Sequence, residues 1–405
     1  EVGSAQRMDA APPSPRRLLP LIHTITGMGV LAFSVIVPAL PDLADELEVS
    51  RGAVGLVQGA VAIPGIFLAA YIGYLADRLG RREVIRVSLL IFGTAGLLCF
   101  FARSYWLLVA LRVVQGLGTS GLLSLGVVVI GDIFVGHERR WAMGLNLAAI
   151  TGMTTIAPIL GGLVAEGGSF RPFLLFVVAF PVWWWARRLP DRPPMGEVAS
   201  PIRHARAALG SLRREGRLSD FLGMLPMSFI TIGIFLGIGI TVTPLLLERE
   251  FALSVSQRGL VAAVGSAFSS TASVLSGRIG RRFPPSRVLP AAFTLVVGGF
   301  VVLAWSPSLW FIALGLAMLG SGTGSIFPLF QTFAASAVPA DYRGASVGMW
   351  VSANRLGQWA GPTAGTAIAT SVGERQSYAG AAVVMAAVAV VWIPFRRAAR
   401  RRFTR

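Results

Sequence analysis

Long apolar segments are the feature of this sequence that most constrains its fold. Hydrophobic residues make up 54% of the 405 residues and charged residues only 14%, whereas about a quarter of an ordinary soluble chain is charged. A hydrocarbon core of ~30 Å needs about 20 apolar residues per helix. Twelve such segments occur, at 19–41, 54–76, 84–102, 106–134, 141–165, 172–187, 221–247, 259–277, 288–305, 309–337, 345–371 and 378–395. The sequence therefore predicts an all-α membrane protein with twelve transmembrane helices.

The distribution of arginine predicts the orientation of these helices. All 36 basic residues are arginine, and a cytoplasmic N-terminus puts 28 of them in inside segments and six in outside segments. Because basic residues accumulate on the cytoplasmic side, we expect both termini inside, in the cytoplasmic (inner) cell membrane. The net charge of +17 is spread over short segments between apolar spans, which argues against nucleic acid as a partner.

The chain divides into two similar halves. Four loop residues recur 200 positions later, where Arg78, Gly80, Arg81 and Arg82 are matched by Arg278, Gly280, Arg281 and Arg282. The predicted organisation is a disordered N-terminal tail (1–18), a six-helix half (19–187), a cytoplasmic linker (188–220), a second six-helix half (221–395) and a basic cytoplasmic tail (396–405). A solvated linker is favoured over an amphipathic helix lying at the lipid headgroups.

The first of these two loops carries the strongest motif of the chain, Gly73-x-x-x-Asp77-Arg78-x-Gly80-Arg81-Arg82. This motif resembles the loop signature of the major facilitator superfamily, and the resemblance extends over essentially the whole sequence. It implies two parallel six-helix halves that rock about a central substrate site near the middle of the membrane.

The resemblance to this family implies that the loop acts as a gate. Asp77 can meet the positive N-terminal end of a helix from the other half, near Gly344, only while the inside is closed. Arg81 can pair with Asp132 at the inside end of the fourth span. The alternative interpretation is a topology signal that only keeps this loop inside.

Two further motifs lie in the fourth and fifth spans. Arg112-x-x-Gln115-Gly116-x-Gly118 resembles the signature of proton-coupled exporters and implies a coupling role for Arg112 and Gln115. An arginine that snorkels toward the interface is the alternative. The motif formed by Gly152, Pro158, Gly161 and Gly162 resembles the antiporter signature and implies export, although a plain packing seam explains much of the same pattern.

Arg355 in the eleventh span is the most informative residue outside these motifs. It lies ten residues, about 15 Å, past the start of its span, so snorkelling cannot bring its charge to water. We predict that Arg355 faces a central substrate cavity together with Asn354, Gln358 and Trp359. The alternative is a buried arginine bonded to backbone carbonyls. No acidic residue falls near the middle of a predicted span, which leaves proton coupling open.

These features predict a secondary active transporter that exports an amphipathic drug or metabolite. The alternatives are an organic anion carrier with Arg355 as counter-ion and a non-transporting receptor or scaffold. The expected partners are a small-molecule substrate, the lipid bilayer and, if transport is proton-coupled, protons. A monomer is expected. No cofactor, metal or enzymatic activity is expected, because the three histidines are scattered and no catalytic motif occurs.

Overall fold

The computed structural model describes residues 15–190, 201–339 and 342–403, and these residues form helices and short connections without strands. Most of the predicted N-terminal tail, part of the predicted linker and the end of the predicted C-terminal tail lie outside the described residues. The tail residues that are described form a short 3-10 turn, Pro15–Leu18.

Six helices occupy residues 15–190. They are α1 (Arg16–Glu46), α2 (Val54–Gly59, continued by Ala60–Ala62 and Ile63–Leu79), α3 (Arg81–Phe101), α4 (Tyr105–Ile133), α5 (Gly136–Ala165) and α6 (Arg171–Val178, continued by Ala179–Trp185 and Ala186–Arg188). Their buried side chains form one apolar core.

Six more helices follow in the later described ranges. They are α7 (Leu218–Phe251), α8 (Val255–Arg282), α9 (Pro285–Ala304), α10 (Leu309–Ser336), α11 (Arg343–Val372) and α12 (Glu374–Phe403). They surround a second apolar core. A shorter helix, Pro201–Arg214, precedes them and buries Ala208 and Leu212 in that second core. This part of the predicted linker is therefore helical and packed on one side, and not fully solvated as expected.

The length and composition of the helices fit a membrane. Among the described residues, eight helices are long and apolar enough to cross one, or nine if the two bent parts of α2 form one span. Helix α11 does not reach this hydropathy because it carries polar residues such as Asn354, Arg355 and Gln358 along its length. The prediction of an all-α, twelve-helix membrane fold is confirmed.

Several helices are interrupted where proline removes a backbone donor. The regular part of α1 ends at Ser34, and a 3-10 turn at Val37–Ala39 contains Pro38. In α2 a 3-10 turn at Ala60–Ala62 precedes Pro64. These interruptions leave backbone carbonyls without their helical partners, and side chains from neighbouring helices can bond to them.

Candidate transport pathway

The two halves meet mainly through α5 with α8 and through α2 with α11. We call the end of the bundle that carries the α2–α3 turn at Gly80 the basic face, and the other end the opposite face. The halves make more contacts with each other at one end of the bundle than at the other. This difference shows which end is closed and which is open.

At the opposite face, ion pairs join the halves. Arg258 of α8 places Nη2 at 3.0 Å and 2.8 Å from the two carboxylate oxygens of Asp42 in α1. The Arg258 side chain is only 3% exposed, whereas the Asp42 side chain is 36% exposed, so the guanidinium is buried and the carboxylate reaches solvent. A second pair joins Arg51, in the α1–α2 loop, to Glu248 of α7 at 2.8 Å.

Backbone contacts also seal this face. Thr366 of α11 donates its hydroxyl to the Gly52 carbonyl over 2.7 Å. A side chain at Gly55 would collide with the Pro362 carbonyl, so the absence of a Cβ permits α2 and α11 to touch. Between α5 and α8, the Ser256 amide donates to Glu166 over 3.0 Å. Hydrogen bonds from Ser256 and Ser254 lower the pKa of the Glu166 carboxyl to about 2.

The basic face is more open. A Cβ added at Gly73 or Gly144 in the first half, or at Gly277 or Gly344 in the second, would meet no atom within 4 Å. The ion pairs between the described parts of the two halves lie at the opposite face. Ser270 of α8 also donates to the Thr151 carbonyl of α5 over 2.8 Å, but this contact lies near the middle of both helices. The bundle is therefore sealed at the opposite face and open at the basic face.

The predicted gating residues lie at the basic face within the first half. Gly80 ends α2 with φ of 90°, a backbone conformation that favours glycine, and thereby allows the sharp turn into α3. Arg81 lies 3.3 Å from Asp77 and also forms an ion pair with Asp132 of α4. The structure thus brings these three residues together, and they tie α2, α3 and α4 to one another.

The other two arginines of this motif contact neighbouring residues of the same half. Arg78 stacks over Tyr74 at 5.6 Å, and Arg82 lies 3.4 Å from Glu83. The Asp77 carboxylate bonds to Arg81, and the space around Gly344 is empty. In this conformation Asp77 is therefore engaged within its own half and not with the start of α11.

Arg112 is completely buried and bonded on three sides. Its Nη1 donates to Gln115 over 2.6 Å, its Nε to the Val57 carbonyl over 3.1 Å and its Nη2 to the Ala32 carbonyl over 2.7 Å. These carbonyls belong to α2 and α1 close to their interruptions. Arg112 therefore neither snorkels nor faces an open cavity, because the broken helices supply its acceptors.

Gln58, which was not among the predicted site residues, completes this arrangement. Its amide nitrogen donates to the Phe33 carbonyl at the same interruption of α1. An isolated glutamine in an apolar span was the signal available in the sequence. Together, Arg112 and Gln58 hold α1, α2 and α4 at the level of the breaks.

The predicted antiporter motif packs in two directions. A Cβ at Gly161 would collide with the Val35 carbonyl of α1, and one at Gly162 would lie 2.7 Å from the Val255 carbonyl of α8. Pro158 is buried, and its carbonyl lies against Gly259 of α8. Gly152 instead has open space around it. The close seam therefore covers only the half of the motif nearer the opposite face.

Arg355 lies between the halves and bonds differently from Arg112. Its Nη1 donates to Gln358 over 2.8 Å, and its guanidinium lies 5.1 Å from the centre of the Phe33 ring in α1. Its side chain also approaches Gly65 of α2. No carboxylate of the described residues lies within 4.0 Å of it, so this cation has no protein counter-ion among them.

Of the three neighbours predicted for Arg355, two lie toward the first half and one points into the second half. Gln358 stays beside it. Trp359 contacts the first half through its backbone next to Gly59, and its indole N–H is buried without a hydrogen-bond partner in the described chain. Asn354 is not a cavity residue: its amide donates to Ser228 of α7 over 3.1 Å and to the Trp350 carbonyl over 2.9 Å. One position along a helix turns a side chain by about 100°, which directs Asn354 into its own half.

Comparisons with known proteins agree with this architecture. The family model described as Major Facilitator Superfamily matches residues 22–246 and 224–405. The chain is 26% identical over 357 residues to the bacillibactin exporter of Bacillus subtilis (strain 168), covering 85% of this chain and 86% of that protein. It is 27% identical over 397 residues to the multidrug resistance protein MdtG of Salmonella typhi, covering 92% and 95% respectively.

A solved structure shows the same fold. The inward-facing, unoccupied crystal structure of a bacterial homolog to the human lysosomal transporter Spinster superposes with a TM-score of 0.73 at 17% identity, over 96% of this chain and 98% of that one. The predictions of the family and of a secondary transporter are confirmed. Since the family model covers nearly all of the sequence, the chain belongs to the Major Facilitator Superfamily and is a multi-pass membrane transporter.

Proposed function

We propose that this chain exports amphipathic molecules that carry an anionic group, by alternating access across the cytoplasmic membrane. The observation that carries this proposal is the Arg355 guanidinium, which lies between the halves with Gln358 as its hydrogen-bond partner and with no carboxylate of the described residues within 4.0 Å. A charge at this depth is expensive and is retained where it has a partner or a cavity. An anionic substrate supplies that partner.

The aromatic neighbours of Arg355 define the rest of the substrate. Phe33 faces the guanidinium, and the indole N–H of Trp359 has no acceptor among the described residues. An aromatic or apolar body would pack against these rings while its anionic group bonds to Arg355. A cationic substrate would meet the same positive charge without a nearby carboxylate, which makes it the weaker candidate.

Three observations support export from the cytoplasm. The arginine-rich end of the bundle is the open one, and basic residues favour the cytoplasmic side. This conformation is then inward-open and ready to receive solute from inside. The relatives are also named for export of bacillibactin and for multidrug resistance, and the motif at Gly152, Pro158, Gly161 and Gly162 points in the same direction.

The loop motif at the basic face fits the gate of this cycle. When the halves close there, Asp77 would leave Arg81 and meet the start of α11, while Arg81 keeps its ion pair with Asp132. We assign Gly73, Arg78, Gly80 and Arg82 to the same gate. Arg112 and Gln115 would couple movements of α1 and α2 to α4, since Arg112 bonds to all three helices.

Flux into inside-out proteoliposomes tests the proposed substrate class. A fluorescent aromatic carboxylate, its neutral ester and the cation ethidium should be compared, each with and without a pH gradient. We expect accumulation of the carboxylate, and the pH arm tests whether protons drive it. Preferential transport of ethidium would contradict the proposal, and no flux of any probe would favour a receptor or scaffold.

The gate is tested separately by Asp77→Asn. This variant should increase labelling of a cysteine introduced at Gly344 by a membrane-impermeant thiol reagent, because the closed basic face loses a favourable contact. Cys99 is buried and is replaced by alanine in all samples. Glu83→Gln is the matched control, because it also converts an acid to its amide near the same turn and Glu83 is not assigned to the gate. Equal labelling in the Asp77 variant and the parent would refute the gating role.

A further inference from the structure

The end of α6 combines aromatic and basic residues that the transport site does not use. Its final turns read Trp183-Trp184-Trp185-Ala186-Arg187-Arg188. Arg86, from the second turn of α3, stacks over Trp183 at 5.0 Å. Since α3 begins at the basic face, this contact places the end of α6 at the same level, where tryptophan and arginine typically meet the lipid headgroups.

An open pocket of about 410 Å³ lies at this point and is lined by Trp184, Trp185, Arg187 and Arg188. Trp184 is 62% exposed, so its indole offers a broad apolar surface outside the helix bundle. The pocket thus has two indole walls and two guanidinium groups, and it is separate from the space between the two halves.

The two arginines of this pocket are not neutralised by the described residues. Arg187 stacks over Trp184 at 3.7 Å and over Trp183 at 5.1 Å, and no carboxylate of the described ranges 15–190, 201–339 and 342–403 lies within 4.0 Å of Arg187 or Arg188. Nearby Arg86, in contrast, pairs with Glu83 at 3.0 Å. Stacking orients the Arg187 guanidinium and leaves its edge donors available for an anion.

We propose that this pocket binds the headgroup of an anionic phospholipid. The guanidinium groups would donate to the phosphate oxygens, and the exposed face of Trp184 would lie against the upper acyl chain. Arginine forms bidentate hydrogen bonds with phosphate, and basic pockets at the cytoplasmic side of membrane helices bind anionic lipid headgroups. The apolar wall distinguishes a lipid from free phosphate, because a soluble anion would leave Trp184 without a partner.

Native mass spectrometry of the purified full-length transporter tests this site. Phosphatidylglycerol and phosphatidylcholine with identical acyl chains are titrated into the parent, R187Q/R188Q and R213Q/R214Q. The last variant is the matched control, because Arg213 and Arg214 are also adjacent and exposed but have no tryptophan beside them in sequence. Size-exclusion profiles verify folding, and R187K/R188K retains the charge as a second check.

We expect the parent to retain at least one more phosphatidylglycerol than phosphatidylcholine. R187Q/R188Q should bind that lipid roughly tenfold or more weakly, whereas R213Q/R214Q should match the parent and R187K/R188K should recover part of the binding. Equal retention of both lipids, or equal binding by the parent and R187Q/R188Q, would overturn the proposal. So would full displacement of phosphatidylglycerol by millimolar inorganic phosphate, since the site would then take the free anion.

Discussion

Helices α4 and α11 carry the same local pair, an arginine followed three residues later by a glutamine. In both pairs the arginine Nη1 donates to the glutamine Oε1, over 2.6 Å from Arg112 to Gln115 and 2.8 Å from Arg355 to Gln358. The surroundings differ. Arg112 is enclosed and makes two more bonds to backbone carbonyls, whereas Arg355 lies between the halves and has no further hydrogen bond within the described residues.

The difference shows two ways in which a membrane protein can keep a charge within the bilayer. At Arg112 the protein itself provides the acceptors, because α1 and α2 are interrupted beside it and their carbonyls are free. The result is a fixed joint between three helices. At Arg355 the protein leaves the charge incompletely compensated, and a ligand can provide what is missing. We therefore assign Arg112 to the architecture and its movements, and Arg355 to substrate binding.

The largest expected effect is the loss of stability when the enclosed pair, Arg112 and Gln115, is disrupted. Arg112→Met would leave the carbonyls of Val57 and Ala32 without these donors, and we expect a loss of about 3 kcal/mol in the free energy of unfolding. Denaturant unfolding in detergent micelles measures this loss. Arg112→Lys keeps the charge but cannot reach all three acceptors, so its free energy of unfolding should lie between those of the parent and of Arg112→Met. A loss below about 1 kcal/mol would show that the bonds from Arg112 to these carbonyls do not stabilise the bundle.

The corresponding change at the open pair, Arg355 and Gln358, should reduce transport and leave stability nearly unchanged. Arg355→Met should alter the free energy of unfolding by less than about 1 kcal/mol and reduce flux of an aromatic carboxylate at least about tenfold, since a charge-assisted hydrogen bond to the substrate is lost. The neutral ester serves as the internal control in the flux assay. Equal loss of carboxylate and ester flux would show that Arg355 does not recognise the negative charge.

The glutamines provide the smallest and most closely matched test. Gln115→Met leaves Arg112 Nη1 without an acceptor in an enclosed site and should cost about 1–2 kcal/mol of stability. Gln358→Met should cost less than about 0.5 kcal/mol, because water can replace the lost acceptor on the open side. Both values come from the same unfolding assay. If the two substitutions cost the same, the two arginine environments are equivalent.

Much of the fold was predictable because transmembrane helices are defined by local composition. The apolar segments, the two halves and the family motifs are visible in the sequence, and both intramembrane arginines could be located by counting residues from the start of each span. The roles suggested for the two arginines were harder to assign. Backbone carbonyl bonding was the alternative considered for Arg355, yet the structure shows that arrangement at Arg112.

The substrate site could be predicted only in part, for a geometric reason. Gln358 lies beside Arg355 as expected, but Asn354 bonds to Ser228 inside the second half. Phe33 was not predicted at all, since an aromatic residue in an apolar span carries no distinguishing signal. Which side of a helix faces the other half depends on how the helices pack, and sequence spacing alone does not reveal it.

The sequence by itself determined that this protein is a membrane transporter with two six-helix halves, because hydrocarbon allows few backbone structures and the loop motif is specific. It also placed two arginines within the hydrocarbon core. The tertiary structure decided which end of the bundle is sealed and which arginine remains available. The physical reason is that a buried charge takes its partners from neighbouring helices, and those neighbours, with their interruptions, are set only when the helices assemble.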